Sequence, residues 1–213
     1  MQHIYDLDVP QTLEEACDPR VTALLVYDMQ VGVLGQLPNA PQIIPQVVRV
    51  LEAARSAGLR VFFTRHMSLP KEVMGVTQMR TAMAWQQTSA ADVTPWFLPD
   101  TTGFALVPEV APLAREAVAD KITMSAFEGT FLNIALRDCG IRTVIIVGVA
   151  LEVGIEPTAR HAADLGYIPV VVADACGGRD EEARQRSLAG LAFAGDAILT
   201  DVAAICRVLG TAA

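Results

Sequence analysis

The feature that most constrains this chain is a punctuation that recurs three times: a helical stretch, a glycine, then a run of β-branched and aromatic residues. It reads AGLRVFF from Ala57, CGIRTVIIV from Cys139 and LGYIPVVV from Leu165. Glycine closes a helix because it enters the left-handed conformation without a Cβ clash. Apolar runs without polar alternation suit strands covered on both faces, the usual condition of a parallel sheet. The strongest strands are Thr22–Tyr27 (TALLVY), 60–64 (RVFFT), 143–147 (TVIIV) and 168–172 (IPVVV), with 119–122 and 197–199 weaker. Between them, apolar residues recur at helical spacing over 43–57, 130–139, 154–165 and 181–193. This alternation predicts an α/β chain of three layers, α/β/α, around a doubly wound, mostly parallel sheet of about six strands.

The 213 residues carry a net charge of −8, with 52% hydrophobic and 19% charged residues. An acidic chain lacks the basic excess that binds nucleic acid or an anionic membrane surface. So apolar a composition excludes a disordered chain and allows one large core. A single domain over 1–213 is expected, with 1–20 as an N-terminal arm and 66–107 as an irregular lid segment rich in Met, Thr, Gln, Pro and Trp. Four separated cysteines (Cys17, Cys139, Cys176, Cys206), with no CxxC pair and no leader-like N-terminus, suggest free thiols and a cytoplasmic location. The longest apolar runs fall well short of the roughly 18 residues of a membrane span. With only His3, His66 and His161 present, no metal site is expected, and no cofactor.

Ligands of doubly wound sheets bind beyond the carboxyl ends of the strands. Asp28 and Gln30 follow the first strand, and Arg65 and His66 the second. Lys121 ends the weaker third, with Phe127 beyond it. Val149, Ala150, Glu152 and Gly154 follow the fourth, and Cys176 the fifth. A carboxylate and an ammonium at one sheet edge make an acid/base pair, since burial favours the neutral acid and the cation opposes it. The amides around Gly154, at a helix start, are expected to face anionic groups of the ligand.

Asp28-Met29-Gln30 after the first strand, Lys121 with Ser125-Ala126-Phe127, the segment GVALEVGIEPTARHA (148–162) and Asp174-Ala175 together resemble the isochorismatase-like hydrolases, also called cysteine hydrolases. The resemblance runs from about Thr22 to Val202. It implies a parallel sheet flanked by helices, a dimer or tetramer, and a cis peptide at Val149–Ala150. Most members of that superfamily hydrolyse C–N bonds with an Asp–Lys–Cys triad. Carried over, the Asp is Asp28 and the Lys is Lys121, but Gly154 stands at the nucleophile's position, so no thioester forms there. A branch that also carries Gly cleaves enol ethers, with the Asp as general acid and water capturing the oxocarbenium ion.

The resemblance therefore implies hydrolysis of a small carboxylated enol ether, with Asp28 as general acid and Lys121 its partner. Two alternatives stand beside it. One is amide, urea or carbamoyl hydrolysis by water or another residue, with Glu152 as a base or Cys176 as a substitute thiol. The other is a small-molecule-binding member without activity. Gln30, Arg65, His66, Arg80, Phe127, Val149, Ala150 and Glu152 are expected around the substrate, with Arg65, Arg80, Lys71 and Lys121 available to its carboxylates. Trp85 and Trp96 are candidates to cover it.

Overall fold

The computed structural model describes residues 1–210. A hairpin, β1 (Gln2–Ile4) and β2 (Leu7–Val9), and a helical turn, α1 (Leu13–Ala16), lead into β3 (Thr22–Tyr27). There follow α2 (Val31–Leu34), α3 (Ala40–Ser56), β4 (Arg60–His66), α4 (Val76–Gln86), β5 (Ala117–Lys121), α5 (Leu132–Asp138) and β6 (Thr143–Val149). The chain closes with α6 (Glu156–Asp164), β7 (Ile168–Gly177), α7 (Glu181–Ala194), β8 (Ile198–Thr200) and α8 (Val202–Gly210). Six strands form one parallel sheet in the order β5-β4-β3-β6-β7-β8. The winding starts at β3, runs outward to β5, then returns to β6 on the other side, so β3 and β6 flank the switch point.

Strand alternation sorts the core into two layers. On one face Leu24, Val26, Val61, Phe63, Ile145, Val147, Val170 and Val172 pack with Val47, Val50 and Leu51 of α3 and Ile205 of α8. On the other, Ala23, Leu25, Tyr27, Val144, Ile146 and Val171 pack with Leu136 of α5, Ala159 of α6 and Leu191 of α7. Each fully buried Leu, Ile or Val contributes about 1.5–3 kcal/mol relative to exposure. The three-layer, doubly wound fold predicted from the glycine-punctuated repeats is the fold observed.

Several details differ from the sequence reading. Segment 66–107 is not irregular throughout: α4 occupies eleven of its residues. No residue of α4 is buried, so it has no core-facing stripe and leaves no helical period in the sequence. The arm at 1–20 holds a hairpin and a helical turn, and its end is docked, with Thr143 Oγ1 donating to the Ala16 carbonyl at 2.6 Å. β7 continues past 172, because pairing with β6 resumes at Gly148–Cys176 after a shift of register. Among the described residues, no helix is long and apolar enough to cross a membrane.

Candidate active site

Three adjacent strands converge on one carboxylate. Asp28 follows β3 with φ +45°, a left-handed conformation that Asp tolerates better than most residues, and the chain turns sharply there. Thr64, on β4, donates its hydroxyl to Asp28 Oδ1 at 2.6 Å. Lys121, the last residue of β5, donates its ammonium to Asp28 Oδ2 at 2.7 Å and to the Thr123 carbonyl at 3.2 Å. The Lys121 side chain is 0% exposed and that of Asp28 7%, so this ion pair is shielded from solvent. Each oxygen of Asp28 holds one donor and keeps a lone pair for another. Burial lowers the pKa of Lys121, and the Asp28 charge opposes that shift.

Tyr27 is the residue that most changes the reading. Its ring lies under the Lys121 ammonium, 4.3 Å from Nζ to centroid, a cation–π contact. Its hydroxyl donates to the Met124 carbonyl. Burial raises its pKa well above the usual phenol value, so it stays neutral. A Cβ placed on Gly154 would meet the Tyr27 hydroxyl oxygen at 2.1 Å and two ring carbons at 2.5 and 2.6 Å. The space a side chain at 154 would take is therefore filled by the phenol. Gly148 is constrained from the same strand: its φ is +124°, and an added Cβ would lie 2.1 Å from the Tyr27 carbonyl oxygen. The Val149–Ala150 peptide that follows is cis.

A cavity of about 320 Å³ opens over this pair. Of the expected residues, Asp28, His66, Trp85, Val149, Ala150, Glu152 and Gly154 line it, and Trp96 does not. Lys121 does not, and reaches it only through Asp28. Burial, then the charge of Lys121, holds the His66 pKa down to about 4, leaving the imidazole neutral near pH 7. Glu152 Oε1 accepts from the amides of Arg179 and Asp180 at 2.7 and 3.3 Å, while Oε2 is buried without a partner among the described residues.

Other expectations are corrected. Arg65 points away from the cavity: Thr64 and His66 alternate with it along β4, and its guanidinium pairs with Asp120 at 2.7 and 2.9 Å and lies over Phe104. Arg80 sits on the outer side of α4 and does not line the cavity. Lys71 donates to the Ala91 carbonyl elsewhere in the lid segment. Phe127 is buried in the helix layer, stacked on Tyr167 at 5.7 Å. Gln30 is buried as a brace: its Oε1 accepts from the His66 amide, and its Nε2 donates to the His66 and Phe104 carbonyls. The amides of Val153, Gly154 and Ile155 all donate to the Ala150 carbonyl inside a π-helical turn (Leu151–Ile155), which occupies groups expected to face an anion. Cys176 is fully buried, and burial pushes its thiol up to about 12.

Sequence reasoning missed Tyr27, Thr64 and Arg179. Tyr27 and Thr64 look like ordinary strand residues, and only their neighbours across the ladder give them meaning. Arg179 lines the cavity, and its guanidinium has no partner among the described residues. Among those residues, no group of three His, Cys, Asp or Glu side chains is placed to hold a metal ion.

The doubly wound α/β sheet places a buried carboxylate–ammonium pair under a crevice at its switch point. Residues 22–204 match the family model for the isochorismatase domain, and the chain belongs to the isochorismatase family. Nicotinamidase 3 of Arabidopsis thaliana is 30% identical over 193 residues, covering 90% of each chain. Ureidoacrylate amidohydrolase RutB of Serratia proteamaculans (strain 568) is 30% identical over 176 residues, 74% of this chain and 70% of its own. In fold, a cysteine hydrolase from Pseudomonas syringae pv. phaseolicola 1448A superposes with a TM-score of 0.79 at 22% identity, covering 93% of this chain and 96% of the other.

Proposed function

We propose that this chain hydrolyses the C–N bond of a small amide or ureide by direct attack of water, with no covalent intermediate. The single observation that carries the reading is the phenol of Tyr27 over Gly154: neither a nucleophile nor room for one exists at that position. Relatives named as a nicotinamidase and an ureidoacrylate amidohydrolase support C–N chemistry and give no support to the enol-ether expectation. Two features of the site weigh the same way. Both oxygens of Asp28 already accept hydrogen bonds, which suits a base better than a stored proton. A carboxylated enol ether needs several cations, whereas Lys121 is held by Asp28 and Arg65, Arg80 and Lys71 lie outside the cavity. That leaves Arg179 as its unpaired cation among the described residues.

In this mechanism Asp28 accepts a proton from water as the water oxygen bonds to the carbonyl carbon. The C–N bond then breaks, and the proton held on Asp28 leaves with the amine nitrogen. Lys121 is a positioning residue that holds one carboxylate oxygen in place, as Thr64 holds the other. Holding the attacking group in place removes orientational entropy from the barrier. The test is a panel of primary amides, ureides, carbamoyl compounds and an enolpyruvyl ether, assayed with purified protein before and after iodoacetamide. The expected result is release of ammonia or amine from the C–N substrates, unaffected by alkylation. Turnover of the enol ether alone would overturn the reading.

A further inference from the structure

A second cavity, of about 470 Å³, lies beneath α4 and adjoins the first. His66, Trp85, Phe97 and Met124 line both. The two differ in kind. The first holds Asp28, Glu152, Arg179 and Asp180, whereas no Asp, Glu, Lys or Arg lines the second. Its walls are apolar and aromatic, with hydroxyls and amides between. The Gln78 side-chain nitrogen donates to the Met67 carbonyl at 3.3 Å, and its Oε1 is buried away from the cavity's open space.

We propose that this cavity is a substrate subsite for an uncharged arm, aryl or alkyl. The inference rests on the C–N reading for the group bound at Asp28, and it adds the class of substrate: an amide or ureide with a polar reacting head and a neutral, mostly apolar tail. Charged tails are excluded, because no side chain in the cavity would compensate a buried charge. The arm crosses between His66, Trp85, Phe97 and Met124, the walls that the two cavities share. Tail length and polarity, and not the reacting group, then set specificity, since each apolar group buried in a fitted pocket improves kcat/KM several-fold or more.

The experiment uses acetamide, phenylacetamide, 4-hydroxyphenylacetamide and 4-carboxyphenylacetamide with the full chain. Trp85 lines both cavities and Trp96 the second alone, so the fluorescence of a Trp85→Phe variant, whose remaining tryptophan is Trp96, reports occupancy of the second cavity without need of turnover. Expected results are a saturable fluorescence change with the phenyl and hydroxyphenyl amides but not with acetamide, and kcat/KM about tenfold or more above acetamide. Ala82→Phe, which fills the cavity from α4, lowers the phenylacetamide to acetamide ratio about tenfold. A flat series with no fluorescence change, or equal use of the carboxyphenyl amide, overturns the subsite. So does an Ala82→Phe variant that alters the mass of the assembly in sedimentation but leaves the ratio standing, because a second copy then seats there. Saturable binding of the phenyl amides without hydrolysis of any amide upholds the subsite and defeats the C–N reading instead.

Discussion

The reactive cavity and the cavity beneath α4 share four walls and are built in opposite ways. In the first, Tyr27, Asp28, Thr64 and Lys121 sit on or just past the ends of three paired parallel strands and are buried from both layers. Their positions are fixed many times over by ladder hydrogen bonds and core contacts. In the second, the main wall is a helix with no buried residue, held by scattered bonds such as Gln78 Nε2 to the Met67 carbonyl just past β4. The difference teaches where chemistry and where selectivity reside. A proton-transfer group needs a fixed geometry and is placed where the backbone is over-determined. A surface that sorts substrates by size and polarity tolerates looser packing.

The largest test of that contrast is Asp28→Asn. The amide keeps the shape and still meets Thr64, but it cannot take a proton, so kcat falls about 10²–10⁴-fold, read in a steady-state assay on the best amide of the panel. Retained activity would remove Asp28 from the chemistry and with it the distinction between the two cavities.

The next test concerns His66, which lines both. Its folded pKa of about 4 lies below the ordinary value of 6.5. Between those values the unfolded chain binds more protons than the folded one, so this group's contribution to stability is present above pH 6.5 and is lost as pH falls toward 4. The loss is on the order of 2–3 kcal/mol. Urea unfolding at pH 7.5 and 4.5 measures it, and His66→Phe removes that part of the difference. An unchanged pH dependence in the variant would show that His66 is not held neutral.

A third prediction sharpens the role of Tyr27. Gly154→Ala forces a methyl into the phenol and costs about 1–3 kcal/mol of stability by overpacking. In a Tyr27→Val background the same change is nearly free, which a double-mutant cycle reads as a coupling of similar size. Additive effects would mean that the phenol does not occupy the space. The smallest effect is expected from Arg80→Ala. On the outer side of α4 it leaves kcat/KM within about twofold and stability within about 0.5 kcal/mol. A larger loss would bring that helix's outer face into the substrate's path.

Legibility in the sequence followed the same division. Four of the six parallel strands, β3, β4, β6 and β7, were readable because burial on both faces leaves continuous apolar runs, and the glycines that end α3, α5 and α6 set their limits; the edge strands β5 and β8 are only partly buried and gave a weaker signal. Asp28 and Lys121 were readable because they stand at strand ends, where the topology concentrates ligands. α4 was not, since a helix without a buried face has no period to detect. α8 was missed although Val202, Ile205, Val208 and Leu209 recur at helical spacing and form its buried face. Arg65 was misplaced by a single step of strand alternation, which sends it to Asp120 while His66 lines the cavity. Phe127 was misplaced because a turn after β5 sends it into the helix layer. The Tyr27–Gly154 relation is a contact between distant positions, and neither residue signals it alone.

The central claim is that the bond is broken by water, with nothing attached to the protein. The direct measurement is the intact mass of the chain, acid-quenched during steady-state turnover of a saturating amide. The account predicts only the unmodified mass. A population heavier by the acyl group of the substrate, on a cysteine or on any other side chain, would contradict it.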